Sequence, residues 1–383
     1  MELEHGVVGL DGIGAVDLDF VVALRGEREG EREKDERAQD RLYIAYGRRK
    51  GENGRMLFDA SPGPRLVGIA KLASESERLE AKRKVEYFEI ATRSVLNRSK
   101  PSMPFTWTIN PYRGCEFGCK YCYARYTHEF MELDPADFEN RIYAKAGVEE
   151  ILKLELRRTD KREAIALGTA TDPYQPAERR FERTRRILEV FARERGWHLS
   201  ITTKSDLVER DIALLMEIAR ANVLDVNITV TTLDAKLARM LEPRAPRPDL
   251  RLATVEKLAG AGIVVGVFPN PILPLITDRE RDLDRLARAA KNAGASYFGG
   301  GVLFLMPSAQ KIFFPFLREN FPRLLRRYEE RYTRSPYIRG AYMETLRDRL
   351  RKIRARYGLA SAPVEYRPEL WEDEKQQELF PLD

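Results

Sequence analysis

Cysteine is scarce in this sequence, and its few copies stand together. The chain of 383 residues contains 3 cysteines, Cys115, Cys119 and Cys122, all within one short segment. A secreted fold held by disulfides would scatter an even number of cysteines along the chain, so the pattern excludes a disulfide framework. An odd, tight group of thiols in a chain without a visible secretory signal instead indicates a cytosolic metal site.

Long apolar runs are also missing. No stretch approaches the roughly 20 residues that a membrane-spanning helix needs, and the N-terminus is acidic and lacks a basic segment followed by an apolar one. We therefore expect a cytoplasmic protein without a membrane span. Hydrophobic residues make up 43% of the chain, which is enough for a sizeable core. The net charge of +6 permits the binding of nucleic acid or other anions without requiring it.

Composition divides the chain into three regions. We predict an N-terminal extension with a charged linker over residues 1–100, a core domain over 101–305 and an Arg-rich helical region with a tail over 306–383. Within the extension, residues 25–41 form a mixed-charge run that has nothing to bury. Residues 65–94 have helical spacing with many charges.

Short β-branched runs alternate with longer amphipathic segments through the core region. Strands are predicted at 107–110, 164–170, 198–204, 226–232, 263–269 and 296–304. Helices are predicted at 148–156, 177–195, 207–219, 235–241, 251–259 and 278–290. Such alternation is typical of βαβ units with a parallel sheet. Six units in one run favour an α/β fold of the partial or full barrel type, and an open doubly wound sheet is the alternative.

The three cysteines follow the first predicted strand of the core with the spacing C-x3-C-x2-C. The C-terminal ends of barrel strands carry the chemistry in α/β barrels, and Gly114 and Gly118 let the loop wrap closely around a bulky centre. Three metal sites are compatible with this motif. A structural zinc site would need His128 as its fourth ligand. A closed iron–sulfur cluster would need a fourth thiolate that the chain lacks. A [4Fe–4S] cluster on three thiolates would keep one iron open.

The motif and its surroundings resemble the radical SAM superfamily. The spacing, with Tyr121 before the last cysteine, is similar to the superfamily signature, and the string Asn110-Pro-Tyr-Arg-Gly-Cys115 resembles the branch related to spore photoproduct lyase. Further similar blocks follow the later strands, at 171–178, 202–205, 229–234, 241–246 and 271–278.

This resemblance implies a (β/α)6 partial TIM barrel and a radical enzyme. A [4Fe–4S] cluster at the three cysteines would cleave S-adenosylmethionine (SAM) reductively, and the resulting 5′-deoxyadenosyl radical would take a hydrogen atom from a substrate. The resemblance implies an external electron donor of the flavodoxin or ferredoxin type. The substrate is not identified by the sequence, and DNA or RNA is a candidate.

The resemblance also assigns SAM-binding roles, each with a structural alternative. Tyr121 matches the aromatic residue beside adenine, and Tyr123 is a second aromatic candidate; either could instead be a core aromatic. Lys204 would bind the methionyl carboxylate, or else pair with Glu178 or Asp172. The remaining candidates are Thr171 and Thr229, whose hydroxyls would lie near SAM unless they only serve the strands, and Arg251, which would bind a carboxylate or else be exposed to solvent.

One position departs from the spore photoproduct lyase pattern. That enzyme has a cysteine after the second strand, which returns a hydrogen atom to the product radical, whereas this sequence has Thr169. Repair of a thymine dimer by that route is therefore not expected. Tyr174 is the candidate for a replacement donor.

The C-terminal region raises two further hypotheses. Helical patterns at 314–332 and 342–357 carry many arginines, which indicate either a nucleic-acid-binding face or a solvated surface. The tail resembles the Q-x-x-L-F peptide by which bacterial DNA-repair proteins bind the sliding clamp, with Gln376, Leu379 and Phe380 as anchors. The alternatives to a radical enzyme are thus a nucleic-acid-binding protein with a structural Cys–metal site and a clamp-tethered DNA-repair factor.

Overall fold

Parallel strands joined by helices form the larger of the two sheets in the described chain. The computed structural model describes residues 66–82 and 84–370. Its strands are β1 (Glu77–Lys82), β2 (Val85–Ile90), β3 (Leu96–Arg98), β4 (Trp107–Ile109), β5 (Tyr112–Arg113), β6 (Arg141–Lys145), β7 (Ile165–Leu167), β8 (His198–Thr203), β9 (Val223–Thr229), β10 (Val264–Phe268) and β11 (Tyr297–Phe298).

The described helices surround these strands or follow them. They are α1 (Gly68–Ser74), α2 (Tyr126–Glu129), α3 (Val148–Leu156), α4 (Glu178–Phe181), α5 (Arg183–Phe191), α6 (Ile212–Ala221), α7 (Ala235–Leu241), α8 (Pro248–Gly260), α9 (Glu280–Asn292), α10 (Pro307–Asn320), α11 (Pro322–Tyr332) and α12 (Ala341–Tyr357). None of the helices within residues 66–82 and 84–370 is long and apolar enough to cross a membrane.

The larger sheet has the strand order β11-β10-β9-β8-β7-β4-β3. Strands β4 and β7 to β11 pair in parallel, and β3 joins β4 antiparallel at the edge. Consecutive parallel strands joined by helical crossovers form the (β/α)6 partial barrel, so the predicted fold class is confirmed. The six predicted core strands all exist, although most are shorter than the apolar runs that indicated them.

The two faces of the barrel wall differ in burial. In β8, Leu199, Ile201 and Thr203 are buried, whereas the alternate residues are only half-buried. The buried set belongs to the main apolar core together with residues of the surrounding helices. α9 contributes to this core because Leu283, Leu286, Ala287 and Ala290 recur at helical spacing along one side.

The inner face of the barrel is polar. Ser200 donates to the Asp225 carboxylate at 2.7 Å, and the amide of Asn227 donates to the same oxygen at 3.0 Å. The Tyr297 hydroxyl reaches the Asn227 amide oxygen at 2.8 Å by lying across Gly266, where any Cβ would overlap the ring. Burial raises the pKa of Asp225 to about 6. The barrel interior is therefore lined by hydrogen-bonding groups instead of apolar layers.

A second, smaller sheet has the order β1-β2-β6-β5 and corrects one expectation. The helical spacing of residues 65–94 indicated a helix, but only α1 is helical there and β1 and β2 form a hairpin. Strand β2 pairs in parallel with β6, and β3 pairs with β4. The boundary predicted near residue 100 thus lies between two paired strands. Residues 1–65 and 371–383 lie outside the described residues.

Candidate functional site

The three cysteines lie on the loop that follows β4 and β5. Cys115 and Cys119 are each 8% exposed, Cys122 is half-buried, and all three are free thiols. The loop is fixed at both ends, because Cys115 N–H donates to the Phe138 carbonyl at 2.9 Å and Lys120 N–H donates to the Leu241 carbonyl at 2.9 Å. The thiols are therefore held at the C-terminal end of the barrel strands, where α/β barrels place their chemistry.

Gly114 is needed for the close approach of this loop to its neighbours. Its φ is +80°, and a Cβ there would lie 2.5 Å from the Arg141 carbonyl oxygen and 2.9 Å from that of Phe138. Gly118 also has a positive φ, of +64°, but its surroundings leave room for a Cβ. The expectation that glycine lets the loop pack closely therefore applies most strongly to Gly114.

Burial governs the ionisation of the thiols. It raises the pKa of Cys119 to about 12, although the nearby Lys204 ammonium lowers it. Burial also raises the pKa of Cys122, against the opposing charges of Arg125 and Lys204. The pKa of Cys115 lies well above its usual value, chiefly because of burial and then because of Asp172. Binding of a metal or cluster would therefore release protons from these thiols.

Lys204 brings a positive charge to the cysteines. Its backbone N–H donates to Asp172 Oδ2 at 2.7 Å, and its Nζ lies 6.0 Å from the centre of the Tyr121 ring. Within the described part of the chain, the ammonium has no ion-pair partner, so the predicted alternative of a pair with Glu178 or Asp172 is not found. The side chain is half-buried. It is thus available to an anionic ligand beside the thiols.

Tyr121 belongs to a buried network that sequence reasoning did not single out. Its hydroxyl contacts Glu242, and Thr231 Oγ1 lies 3.2 Å from the same hydroxyl. Thr231 in turn donates to Glu242 Oε1 at 2.7 Å. Burial by itself raises the pKa of Glu242, but Arg251 and Lys204 outweigh it and hold that pKa below its usual range. Glu242 is therefore a buried carboxylate that fixes the Tyr121 ring.

Arg251 is the counter-charge of this carboxylate. The residue is 1% exposed, so the predicted solvent-exposed alternative is wrong. Its Nη2 donates to Glu242 Oε2 at 2.5 Å, its Nη1 to the Thr229 carbonyl at 3.0 Å and its Nε to the Pro246 carbonyl at 2.8 Å. With its donors so engaged, Arg251 positions Glu242, and the geometry does not favour the predicted contact with a SAM carboxylate.

The other predicted SAM contacts lie around the same strand ends. Thr171 is 4% exposed and its hydroxyl donates to the Tyr112 carbonyl at 3.3 Å. Thr229 is the last residue of β9 and is 2% exposed. Tyr123 is half-buried, donates its hydroxyl to the Thr169 carbonyl and packs against Phe304. The structure brings these residues to one end of the barrel.

Tyr174 lies deep in the protein. It is completely buried, and it interacts electrostatically with Asp211 and Glu178. Burial, followed by those two carboxylates, raises its pKa well above the usual value. Its role as a replacement hydrogen donor stays a prediction. Thr169, at the position of the missing cysteine, accepts a hydrogen bond from Asn110 Nδ2 at 3.1 Å.

His128 does not serve as the fourth zinc ligand. It is completely buried, and its Nε2 lies 3.1 Å from the Arg141 carbonyl oxygen, to which it donates. Among the described residues, no three His, Cys, Asp or Glu side chains are arranged to hold a single metal ion. The structure therefore gives no support to the structural zinc site.

Hydrogen bonds link the loops at this end of the barrel from strand to strand. Asn110 Oδ1 accepts from the N–H groups of Ala170 and Thr171. Asp172 accepts from Thr203 Oγ1 and Lys204 N–H, and Asn270 Oδ1 accepts from Gly301 N–H. We call Asn110, Asp172 and Asn270 the collar residues, because each ties its own loop to the loop beside it.

Comparison with known proteins decides the family of this chain. Residues 109–288, which span the thiol loop and most of the barrel, match the model described as the radical SAM superfamily. The chain belongs to the radical SAM superfamily. It is thus a radical SAM enzyme, as its sequence predicted, and membership implies a [4Fe–4S] cluster and SAM as cofactors.

The relatives of this radical SAM protein extend over most of its length. It is 37% identical to an uncharacterised protein of Mycobacterium tuberculosis over 316 residues, which are 80% of this chain and 91% of the relative. An uncharacterised protein of Methanocaldococcus jannaschii is 29% identical, over 62% of this chain and 85% of its own. A solved variant of spore photoproduct lyase with bound SAM and dinucleoside spore photoproduct has a TM-score of 0.53 at 16% identity, over 77% of this chain and 84% of its own.

The residues present suit the implied cofactors of the superfamily. Three free thiols share one fixed loop. Because Gly114 has no Cβ, this loop can pack closely against the backbone of Phe138 and Arg141. The open corner of a cluster on these thiols would face no fourth cysteine, because the sequence contains only 3. Lys204 supplies a cation beside them that has no ion-pair partner among residues 66–82 and 84–370. Thr231 and Glu242 lie in two of the similar blocks, at 229–234 and 241–246, but the sequence did not show that they meet at Tyr121.

Four arginines of α11 and α12 have carboxylate partners in the described chain. Arg326 pairs with Glu330 at 2.8 Å, Arg349 with Glu280 at 3.6 Å and Arg351 with Asp348 at 2.9 Å, and Arg356 pairs with Asp284. These pairs do not decide between a nucleic-acid-binding face and a solvated surface, and both interpretations stay predictions. The clamp motif with Gln376, Leu379 and Phe380 lies outside the described residues and stays a prediction.

Proposed function

We propose that Cys115, Cys119 and Cys122 each ligate one iron of a [4Fe–4S] cluster whose fourth iron is left to SAM. The observation that carries this proposal is a set of three free thiols, two buried and one half-buried, on one fixed loop beside Lys204, which has no ion-pair partner in the described chain. When bound and reduced by an external donor of the flavodoxin or ferredoxin type, such a cluster cleaves SAM to methionine and a 5′-deoxyadenosyl radical.

Lys204 would bind the carboxylate of SAM. An ammonium without an ion-pair partner in the described chain, held half-buried at the end of β8, favours an anionic ligand. Its backbone is fixed by Asp172, so the side chain starts from a defined position. Tyr121, whose hydroxyl is engaged by Glu242 and Thr231, would present its ring to the cofactor. Thr171, Thr229 and Tyr123 complete the proposed SAM-binding wall.

The substrate would enter the polar barrel interior and lose a hydrogen atom there. We infer that its class is a nucleic acid or nucleotide. The fold-level likeness to a protein solved with a dinucleoside spore photoproduct supports this class, as does the basic net charge of +6. The reaction differs from that of spore photoproduct lyase, because Thr169 cannot return a hydrogen atom as a thiol does. A cytoplasmic location belongs to the same proposal, since a reducing compartment keeps the thiols free.

Anaerobic reconstitution with iron and sulfide tests the proposed centre. We expect about four irons and four sulfides per chain and 5′-deoxyadenosine formation from SAM after reduction. Cys115→Ala, Cys119→Ala and Cys122→Ala should each abolish both. A protein that holds one zinc and neither iron nor sulfide would contradict the proposal.

Lys204→Met tests the SAM site separately from the cluster. Loss of a charged hydrogen bond should weaken SAM binding by about tenfold or more, while iron content stays at the wild-type level. Lys257→Met is the matched control, because Lys257 is an exposed lysine of α8 that is paired with Glu209. Equal SAM affinity in the two variants would remove Lys204 from the proposed site.

A further inference from the structure

Two cations share one face of the smaller sheet, next to the thiol loop. Arg113 of β5 is directly opposite Tyr143 of β6, and Lys145 is two residues further along β6. Residues that pair in this way, and residues two apart on one strand, point to the same side of a sheet. Arg113 and Lys145 are thus diagonal neighbours, with Cα atoms about 7 Å apart.

Helix α2 covers this face. The His128 ring packs edge-on against Tyr143, with 6.3 Å between ring centres. The Tyr126 hydroxyl interacts electrostatically with both Arg113 and Cys122, and Arg113 directly precedes the cysteine loop, so this cation lies near the proposed cluster. The face therefore borders the region in which the chemistry is proposed, and is not a remote surface.

Neither cation has a carboxylate partner within the described chain. The other arginines around α2 are paired: Arg125 with Glu139 at 2.6 Å and Arg141 with Glu86 at 3.5 Å. Among residues 66–82 and 84–370, Arg113 and Lys145 make no salt bridge and no side-chain hydrogen bond. Lys145 interacts electrostatically with Glu155, whose carboxylate is already engaged by Ser94 Oγ and by the N–H groups of Val95 and Leu96.

Burial makes this arrangement costly in the absence of a ligand. Lys145 is only 7% exposed and Arg113 is half-buried. Burial, reinforced by the like charge of Arg113, lowers the pKa of Lys145 to about 7. A buried ammonium without a partner loses hydration that nothing in the protein restores. An anion held between the two groups would offset that loss.

We propose that Arg113 and Lys145 bind a phosphate group of the substrate. The planar guanidinium can donate two parallel hydrogen bonds to phosphate oxygens, and the ammonium acts as a point charge on a third. The role of this phosphate as part of a substrate rests on the proposed function, whereas the anion site itself depends only on the two side chains. The site would fix one phosphate of a nucleotide while the reacting carbon lies in the barrel.

Titration of the anaerobically reconstituted full chain with inorganic phosphate tests the site. Ionic strength is held constant with potassium chloride, and binding is measured by calorimetry. We expect saturable binding that Arg113→Gln and Lys145→Gln each weaken about tenfold or more, since each loses a charge-assisted hydrogen bond. Lys145→Arg, which keeps the charge, should bind phosphate within a few-fold of wild type.

Matched controls separate this site from general charge effects. Lys257→Gln and Arg326→Gln remove one positive charge each from paired surface positions, and their phosphate affinity should equal that of the wild type. Equal affinity of wild type, Arg113→Gln and Lys145→Gln, or no saturable binding to wild type, would overturn the proposal. Retained phosphate binding by Lys145→Arg also shows that a loss in Lys145→Gln is not a folding defect.

A comparison of two ligands then tests whether the bound phosphate belongs to a nucleotide. A thymidine dinucleotide with a 5′-phosphate should bind more tightly than inorganic phosphate, and should lose that advantage in Arg113→Gln. Equal binding of the phosphorylated dinucleotide to wild type and Arg113→Gln would overturn the substrate role. Failure of the proposed function would appear separately, as absent iron or absent 5′-deoxyadenosine in samples that still bind phosphate.

Discussion

Individual residues near the thiols fall into two groups with different physical roles. Glu242 and Arg251 are buried and paired with each other, so their charges serve the protein itself. Lys204 is half-buried and has no such partner in the described chain, so its charge is left for a ligand. The distinction between a positioning residue and a binding residue thus depends on whether another side chain already neutralises it.

Glu242→Gln should destabilise the fold by about 3–5 kcal/mol, because it leaves the Arg251 guanidinium buried without its counter-charge. Chemical denaturation measures this loss. Adding Arg251→Met should recover part of it, since the double variant contains no unpaired charge. Asp249→Asn is the control: it breaks the solvent-exposed pair with Arg247 and should change the free energy of unfolding far less than Glu242→Gln does. Equal losses in Glu242→Gln and Asp249→Asn would contradict the assignment.

The sequence revealed the residues with a distinctive local pattern and missed those defined by distant contacts. Three cysteines at fixed spacing identified the thiol loop, and Lys204 stood out as a charge at the end of an otherwise uncharged strand. Glu242 became visible only in the fold, which brings it to Tyr121 from more than a hundred positions away. The role of Tyr174 stays a prediction, because the direction of a side chain depends on packing that a strand-end motif does not encode.

The sequence predicted some helices and strands well and others poorly. The bounds of α3 and α7 coincide with the predicted 148–156 and 235–241, because their apolar spacing and flanking residues mark both ends. Asp234, for example, caps α7 by accepting from the N–H groups of Lys236 and Leu237. The hairpin of β1 and β2 was missed because residues 65–94 carry many charges at a spacing that periodicity alone did not separate from that of a helix.

The thiol loop should depend on glycine at position 114 for space and not merely for backbone freedom. Gly114→Ala and Gly262→Ala both place a Cβ at a φ near +80°, but only the first Cβ meets backbone atoms, and the second has nothing within 4 Å. Gly262→Ala should lower the free energy of unfolding by about 1–2 kcal/mol. Gly114→Ala should lower it by clearly more. Iron content after reconstitution should fall only in Gly114→Ala. Matching losses of stability and iron in both variants would contradict this.

Docking of α2 onto β6 should make stability depend on pH. His128 is buried between Phe138 and Tyr143, and burial, together with the positive charges of Arg125, Arg113 and Arg141, lowers its pKa to about 4. Because the folded pKa lies below the unfolded value of 6.5, its contribution is complete above pH 6.5 and is lost as the pH falls toward 4.

The difference between the folded and unfolded pKa values of His128 corresponds to about 2 kcal/mol of unfolding free energy lost between pH 7 and pH 5. His128→Gln keeps a donor for the Arg141 carbonyl but does not titrate, so its stability should fall less over that interval. Denaturant unfolding at both pH values gives the comparison. Identical pH dependence of the wild type and His128→Gln would contradict the proposed titration.

At the scale of the whole molecule, the described part of the N-terminal extension contributes strands to the same sheets as the barrel region. Strand β2 completes the smaller sheet, and β3 forms the edge of the larger one. Tyr87 of β2 also donates its hydroxyl to Glu116 at 2.9 Å, directly beside Cys115. Removing these strands would therefore affect both the sheets and the thiol loop.

A chain that begins at residue 101 should fail to fold or unfold at much lower denaturant, because it loses β1 and β2 from the smaller sheet and β3 from the larger one, and the total stability of a domain is only about 5–15 kcal/mol. A chain that begins at residue 66 retains every described element and is the control. Soluble expression, unfolding curves and iron content compare the two. A chain from 101 with the stability and iron content of the control would show that the first strands are dispensable.

The collar residues have a consequence for how this protein can change. The loops after β4, β7 and β10 are each tied to the neighbouring strand end through the side chain of Asn110, Asp172 or Asn270. An insertion in one of these loops would therefore strain the loop beside it. The inner wall is constrained in another way, because its polar side chains are bonded to one another, so a new specificity there would need compensating replacements within that group but would leave the collar residues in place.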